Sequence, residues 1–160
     1  NRFYLDDLET RRGTPGRVGA TWMTREDRLH EIDDYVSYLD RLAEHVLAPL
    51  ASDVRDRVLG FSQGVATLSR WVARGAPRVS PLMLWAGAIP PELELGRLAE
   101  QFRALDLSLV LGSRDQDAPW AAAEQEAARL REAGVHLTLL RFEGGHRLDR
   151  ETLVALAATA

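Results

Sequence analysis

The sequence predicts an α/β fold: a mostly parallel sheet of about four strands with helices on both faces. Three observations carry that prediction. Short apolar runs at 57–61, 80–86, 107–111 and 135–142 alternate with stretches of helical character. The run Pro81-Leu82-Met83-Leu84-Trp85 is nearly all apolar, as a strand covered on both faces should be. The residues with reactive side chains, Ser62, Asp115 and His146, each stand just past the end of one of these runs. A parallel sheet gathers such positions on one edge, beyond the C-terminal ends of its strands, where sheets of this kind bind ligands.

Taken in order, residues 1–23 read as irregular. Arg11-Arg12-Gly13-Thr14-Pro15-Gly16 is rich in turn formers. Trp22 and Met23 close the segment, either lining a binding pocket or packing the loop onto the core. Arg11, Arg12, Arg17 and Arg25 either meet an anionic substrate group or form a solvated basic loop. A long helix follows. Thr24 is placed to cap it, with Asp27 three residues on for a capping box. Leu29, Ile32, Val36, Leu39, Ala43, Val46 and Leu50 then repeat at three-four spacing as one apolar face. Glu26, Asp27, Glu31, Asp33 and Asp34 make the first turns acidic, which suits the helix dipole and reads as a solvated face rather than a metal site. His30 and His45 read as surface or packing residues, and Pro49 marks the helix end.

The strand at 57–61 leads into a helix over 63–73, with Val65, Leu68, Trp71 and Val72 inward. After a break at 75–78 comes the strand at 80–86, then the loop Gly87-Ala88-Ile89-Pro90-Pro91. Leu95, Leu98 and Phe102 mark a short helix over 95–105. The strand at 107–111 closes with Gly112-Ser113-Arg114-Asp115. Pro119 can open the next helix, whose Ala-rich body runs to about Ala133 with Gly134 as its stop. The strand at 135–142 ends in Glu143-Gly144-Gly145-His146, and Asp149 can cap a last helix from Arg150 onward.

Composition narrows the chemistry. The 160 residues suffice for one domain with a real core. A net charge of −4 gives no general pull toward nucleic acid. Apolar runs reach about six residues, against the roughly 20 a membrane span needs. A location in the cytoplasm is the default expectation. The absence of cysteine excludes disulfides, thiolate metal sites and a cysteine nucleophile. All twenty basic residues are arginine, so neither a Schiff-base lysine nor a P-loop lysine exists. The Arg-, Ala- and Leu-rich usage has the cast of a high-GC bacterial genome, which is a bias and not a function.

Gly60-Phe61-Ser62-Gln63-Gly64, between a strand and a helix, has the pattern of a nucleophile elbow. The turn is too tight for large neighbours. Glycines on either side let strand and helix close around it, and the serine hydroxyl is pushed out above the sheet edge. The amide of Gln63 opens the helix and can point at a developing oxyanion. Asp117 competes with Asp115, and reads also as a residue leading into the helix near Pro119. His136 competes with His146, but falls inside an expected strand, where its side chain faces a sheet surface.

With Ser62, Asp115 and His146 in that order, the chain resembles the α/β-hydrolase fold family. More narrowly, it is similar to the bacterial carboxylesterase, lysophospholipase and acyl-protein thioesterase group. The likeness rests on the elbow, on Gly112-Ser113-Arg114-Asp115 and on Gly144-Gly145-His146, and it covers most of the chain. It implies that Ser62 is the nucleophile, that His146 is general base and then acid, and that Asp115 orients His146. The spacing of Asp115 three residues past Gly112, as in the group, favours it over Asp117. The Gln63 amide would give one oxyanion donor, and Trp22, Met23 and Ile89 part of the pocket. The implied substrate is a carboxylic ester, with a thioester or a lysophospholipid as alternatives, and no cofactor or metal.

The chain departs from the group at its start, where a full member carries several more strands and a loop that supplies the second oxyanion donor. Residues 1–160 are therefore expected to be a single α/β-hydrolase domain that is N-terminally incomplete. Such a chain would expose a strand edge and an apolar face, and a homo-oligomer is one way to cover them. Weak or no activity is expected of it alone, and the second reading is a non-catalytic domain acting in assembly or interaction.

Overall fold

The computed structural model describes residues 2–4, 18–20, 22–23, 26–50, 57–75, 79–93 and 95–158. Two short strands, β1 (Arg2–Tyr4) and β2 (Val18–Ala20), pair antiparallel as a small sheet of their own. The irregular reading of 1–23 is corrected at these positions. Strands of three residues hold together by their backbone ladder and are too short to display a period.

Helix α1 (Arg28–Leu47) follows. Its N-cap is Asp27, whose carboxylate accepts no cap hydrogen bond and lies 2.6 Å from Nδ1 of His30; Thr24 lies outside the described residues. The apolar stripe is real but only its middle is buried. Ile32, Tyr35 and Val36 are in the core, and Leu39 and Ala43 pack partly against it. Leu29, Val46 and Leu50 are 61%, 49% and 44% exposed, contrary to the single inward face expected. The C-terminal half of α1 borders an open cleft of about 500 Å³ against Arg57, Val58 and Trp71 rather than a packed neighbour.

The main sheet runs in sequence order and is parallel throughout: β3 (Val58–Phe61), β4 (Leu82–Trp85), β5 (Leu107–Gly112) and β6 (Leu137–Phe142). Helices α2 (Gln63–Arg74), α3 (Leu95–Phe102) and α4 (Trp120–Glu132) make the crossovers, and α5 (Arg150–Ala158) follows β6. Side chains alternate between two faces. Leu82 and Leu84 of β4 and Leu107, Leu109 and Leu111 of β5 enter a large core with α1 to α4. Trp85, Val110 and Phe142 turn the other way, where Leu153 and Leu156 of α5 pack against them. Both faces of the central strands are thus covered, which is why their sequences read as continuous apolar runs.

Two helix ends explain where strands begin and stop. At the end of α4, Gly134 takes a φ of 81°, its N–H donates to the Arg131 carbonyl, and the Val135 N–H donates to the Leu130 carbonyl. That pair of bonds is a Schellman closure. It commits Val135 to the helix end, so β6 starts at Leu137 rather than at 135. At the other boundary, Asp149 Oδ2 accepts from the Thr152 amide at 3.1 Å and caps α5 as its sequence suggests.

Among the described residues, β3 and β6 are the two edges of this sheet. Val58 and Ser62 donate their amides to the carbonyls of Pro81 and Trp85 on the β4 side. By strand alternation, Leu59 and Phe61 turn their backbone groups outward. Among the described residues, no helix is long and apolar enough to cross a membrane.

Candidate active site

Ser62 caps the edge strand at the entry to α2. Its φ of 54° and ψ of −118° hold it in a region that costs a non-glycine residue about 1–3 kcal/mol. The conformation is fixed from both sides: its amide donates to the Trp85 carbonyl at 2.9 Å, and its carbonyl accepts from Val65 at 3.0 Å. The turn is closed so tightly that a Cβ on Gly60 would stand 2.6 Å from the Gly64 carbonyl oxygen.

Asp115 follows β5. The backbone of Ser113 donates to Phe142 and that of Arg114 to Gly144, each at 2.8 Å, so the loops after β5 and β6 are stitched together. A Cβ on Gly112 would meet the Gly144 and Gly145 carbonyl oxygens at 2.5 and 2.6 Å, which leaves only glycine at this crossing. Asp115 is buried, and its Oδ1 accepts from the amides of Asp117 and Ala118 at 2.9 and 3.0 Å. Burial alone would raise its carboxyl. The Ala118 amide, His146 and the Asp117 amide together outweigh it and hold Asp115 below the ordinary carboxylate value.

His146, after β6, joins the two. Nδ1 lies 2.9 Å from Asp115 Oδ2, and Nε2 lies 2.9 Å from Ser62 Oγ. An ionised Asp115 only accepts, so Nδ1 carries the proton and Nε2 is left to accept from the serine hydroxyl. The Phe61 ring lies 4.9 Å from the imidazole, and the buried indole of Trp85 donates to the Arg147 carbonyl at 2.9 Å, pinning the residue after His146. Neither support was singled out from sequence. Trp85 there is simply the last apolar residue of a strand, and nothing in its neighbours announces a bond to a loop 62 residues away.

Three of the sequence-predicted residues thus converge. Gln63 is the first residue of α2, a position whose amide the helix itself does not use. Its side-chain oxygen accepts from the Trp22 amide at 3.4 Å. Trp22, Ser62, Gln63, Leu68 and Trp71 line a cleft of about 690 Å³. Met23 packs, partly buried, against the main core. Ile89 is buried beside a second cleft of about 320 Å³, with Leu109, Leu111, Ala118 and Asp117 around it. His136 sits just before β6 and is exposed, not inside the strand as expected, and stays apart from the site. Arg11, Arg12, Arg17 and Arg25 lie outside the described residues.

Asp117 comes close: its Oδ2 is 4.0 Å from His146 Nδ1. Asp115, Asp117 and His146 offer donor atoms within 4.8 Å of one another, the one such group among the described residues. Asp115, however, already accepts two amides and the imidazole, so its oxygens are spent on hydrogen bonds rather than left for an ion.

A buried arginine also escaped the sequence reading. Arg70 of α2 donates from Nε and Nη2 to Glu92 Oε1 at 2.9 and 2.6 Å, and Arg28 of α1 meets the same oxygen. Burial would raise Glu92, but Arg70 and Arg28 hold it lowered. The clasp ties α1 and α2 to the loop that carries Ile89.

Neither a family model nor a curated protein sequence matches the chain. Solved structures do. Acyl-protein thioesterase 2 of Zea mays superposes with a TM-score of 0.65 at 16% identity, over 88% of this chain and 71% of its own. Esterase PE8 gives 0.63 at 20% identity, over 88% and 68%. The Bacillus cereus carboxylesterase gives 0.61 at 16% identity, over 86% and 62%. The architecture, four parallel strands with their helices, is that of the α/β-hydrolase fold.

Proposed function

We propose that this chain is a serine hydrolase that cleaves carboxylic esters through an acyl-enzyme at Ser62. The observation that carries the proposal is the unbroken chain from Ser62 Oγ through His146 to Asp115, with both contacts at 2.9 Å. In that reading the serine hydroxyl gives its proton to Nε2 as it attacks the acyl carbonyl. The imidazolium is stabilised by Asp115 and returns the proton to the leaving alcohol. Water then repeats the sequence on the acyl-enzyme. The Gln63 amide is the oxyanion donor assigned here, and losing such a donor typically costs about 3 kcal/mol in the barrier. No step calls for a metal or a cofactor.

Substrates in this reading are small esters. The cleft beside Ser62, with Trp22 at its rim, has the volume and the apolar walls for an acyl or alcohol group. A thioester is the nearest alternative, because one structural neighbour is an acyl-protein thioesterase and the triad chemistry is the same. A lysophospholipid has no such support. A second reading, a non-catalytic domain acting in assembly, is favoured by one observation: the outward backbone groups of Leu59 and Phe61 on β3 have no strand partner among the described residues.

Hydrolysis of short-chain p-nitrophenyl esters and of an acyl thioester, followed in the wild type and in Ser62→Ala, tests the proposal. The variant should lose at least about a thousandfold in kcat/KM. Turnover equal to wild type would remove Ser62 from the chemistry.

A further inference from the structure

Arg70 carries a charge that the proposed chemistry does not use. It lies on α2, the helix that Ser62 caps, and its side chain is 5% exposed. Its Nε and Nη2 both donate to Glu92 Oε1, and its Nη1 reaches the Tyr35 hydroxyl of α1 at 3.5 Å. We propose that the Arg70–Glu92 pair is a positioning device for substrate: it fixes the 87–93 loop relative to Ser62 and so sets the size of the group that fits against Ile89. The proposal rests on the reading of Ser62 as an ester-cleaving nucleophile.

Such a pair is a poor way to gain stability. Taking a guanidinium out of water is costly, and apolar side chains of similar volume often serve a fold as well or better. What the pair adds is direction. Two N–H groups of a planar fork converge on one carboxylate oxygen and hold it in one place. Arg28 meets the same oxygen from α1, but its side chain is 36% exposed and it adds less.

The loop is held at both ends. It leaves β4 through Ala86, which is buried at a φ of 51°, a left-handed backbone that non-glycine residues rarely adopt. The Ala86 amide donates to the Val110 carbonyl at 2.8 Å. Gly87 then passes so close to the Ser62 turn that a Cβ would stand 2.4 Å from the Ser62 carbonyl oxygen and 2.7 Å from a Val65 methyl. At the far end Glu92 rests on Arg70. Between these points Ile89 is buried at the cleft of about 320 Å³. The Leu93 amide donates to the Pro90 carbonyl at 3.1 Å, so a displacement of Glu92 carries Pro90 and Ile89 with it. Arg70 stands about two turns along α2 from Ser62, so one helix sets both the nucleophile and the loop. Without the pair, Glu92 hydrates, the loop moves out and the cleft widens. Ser62, His146 and Asp115 make their bonds elsewhere, so fit changes and reactivity does not.

The test compares wild type with Arg70→Met/Glu92→Leu, which swaps the pair for apolar side chains and should melt within about 3 °C of wild type. Amide hydrogen exchange over 86–93 should quicken at least about tenfold in the double variant, with β5 and α4 unchanged. The kcat/KM for p-nitrophenyl octanoate relative to the acetate should rise at least about fivefold, carried by KM. Labelling of Ser62 by a small fluorophosphonate should stay within about twofold. Glu92→Gln keeps an acceptor for Arg70 and should stay near wild type in all three. Arg70→Met alone leaves Glu92 its Arg28 partner, and gives the same readings should the double variant not fold. Unmoved exchange over 86–93, or all esters slowed by one factor, overturns the proposal. Because exchange needs no turnover, a freed loop in a protein inert to every ester would refute the esterase reading and leave the positioning of the loop standing.

Discussion

Asp115 and His146 stand after β5 and β6, strands in register over six residue pairs; Ser62 stands after β3, in register with β4 over four. The first half of the site is cross-braced. Backbone bonds join its two loops, Ser113 Oγ accepts from the Gly144 amide, and Trp85 holds the Arg147 carbonyl from beneath. The Ser62 half leans on one strand pairing and on the first turn of α2. The two edges differ likewise. β6 presents an exposed Thr138 and Arg141, polar residues that discourage edge pairing, whereas Val58-Leu59-Gly60-Phe61 carries no charge at all. The Asp115–His146 pair is therefore held in place by its own loops, and the position of Ser62 is the more easily disturbed element of the site.

Two glycine substitutions probe that difference most strongly. Gly112→Ala drives a Cβ into two backbone oxygens of the His146 loop, in the braced region where nothing can yield. It should cost about 3 kcal/mol, near the upper end for overpacking, which lowers Tm by roughly 10 °C for a chain this long. Gly60→Ala meets the Gly64 backbone in a turn that can move with its edge strand. It should cost less in Tm but remove nearly all nucleophile reactivity. Equal melting losses for the two would break the distinction between the halves.

A milder change sharpens it. Trp85→Phe keeps one ring against Phe142, deletes the hydrogen bond to the Arg147 carbonyl and leaves a small void at a fully buried position. We expect a loss of about 2 kcal/mol in urea unfolding and a several-fold drop in kcat with little change in KM. A change in KM alone would mean that the bond does not hold the His146 loop.

The smallest effect is on acid stability. Asp115 has a lowered carboxyl in the folded state, so its contribution is fully present above the unfolded value of ~4 and is lost as pH falls through the folded value. Unfolding free energies between pH 5 and pH 3 should fall less steeply in Asp115→Asn than in wild type. Glu92 and Asp149 are also held low, so wild type keeps a slope from them that the variant shares.

Much of this was legible in the sequence, for identifiable reasons. The four parallel strands follow from apolar runs whose alternate residues enter cores on opposite faces, and the Ser62 turn from two glycines around a serine. Asp115 and His146 were legible because a parallel sheet sends every strand end to one edge. What stayed hidden was long-range and unpatterned. The Arg70–Glu92 clasp and the Trp85–Arg147 bond join residues whose types carry no signal of a partner. β1 and β2 are too short for a period. The outer ends of the α1 stripe look like core in the sequence because periodicity reports a face, not whether anything covers it.

In the proposed function Ser62 is an activated nucleophile in a chain of hydrogen bonds ending at Asp115. Reaction of the folded protein with a fluorophosphonate, read by mass spectrometry of the peptide that carries Ser62, tests it most directly. One phosphonyl group on Ser62 is expected, and its loss in His146→Ala with the fold retained. Well-folded wild-type protein that stays unlabelled, or a His146→Ala variant labelled at the wild-type rate, would contradict it.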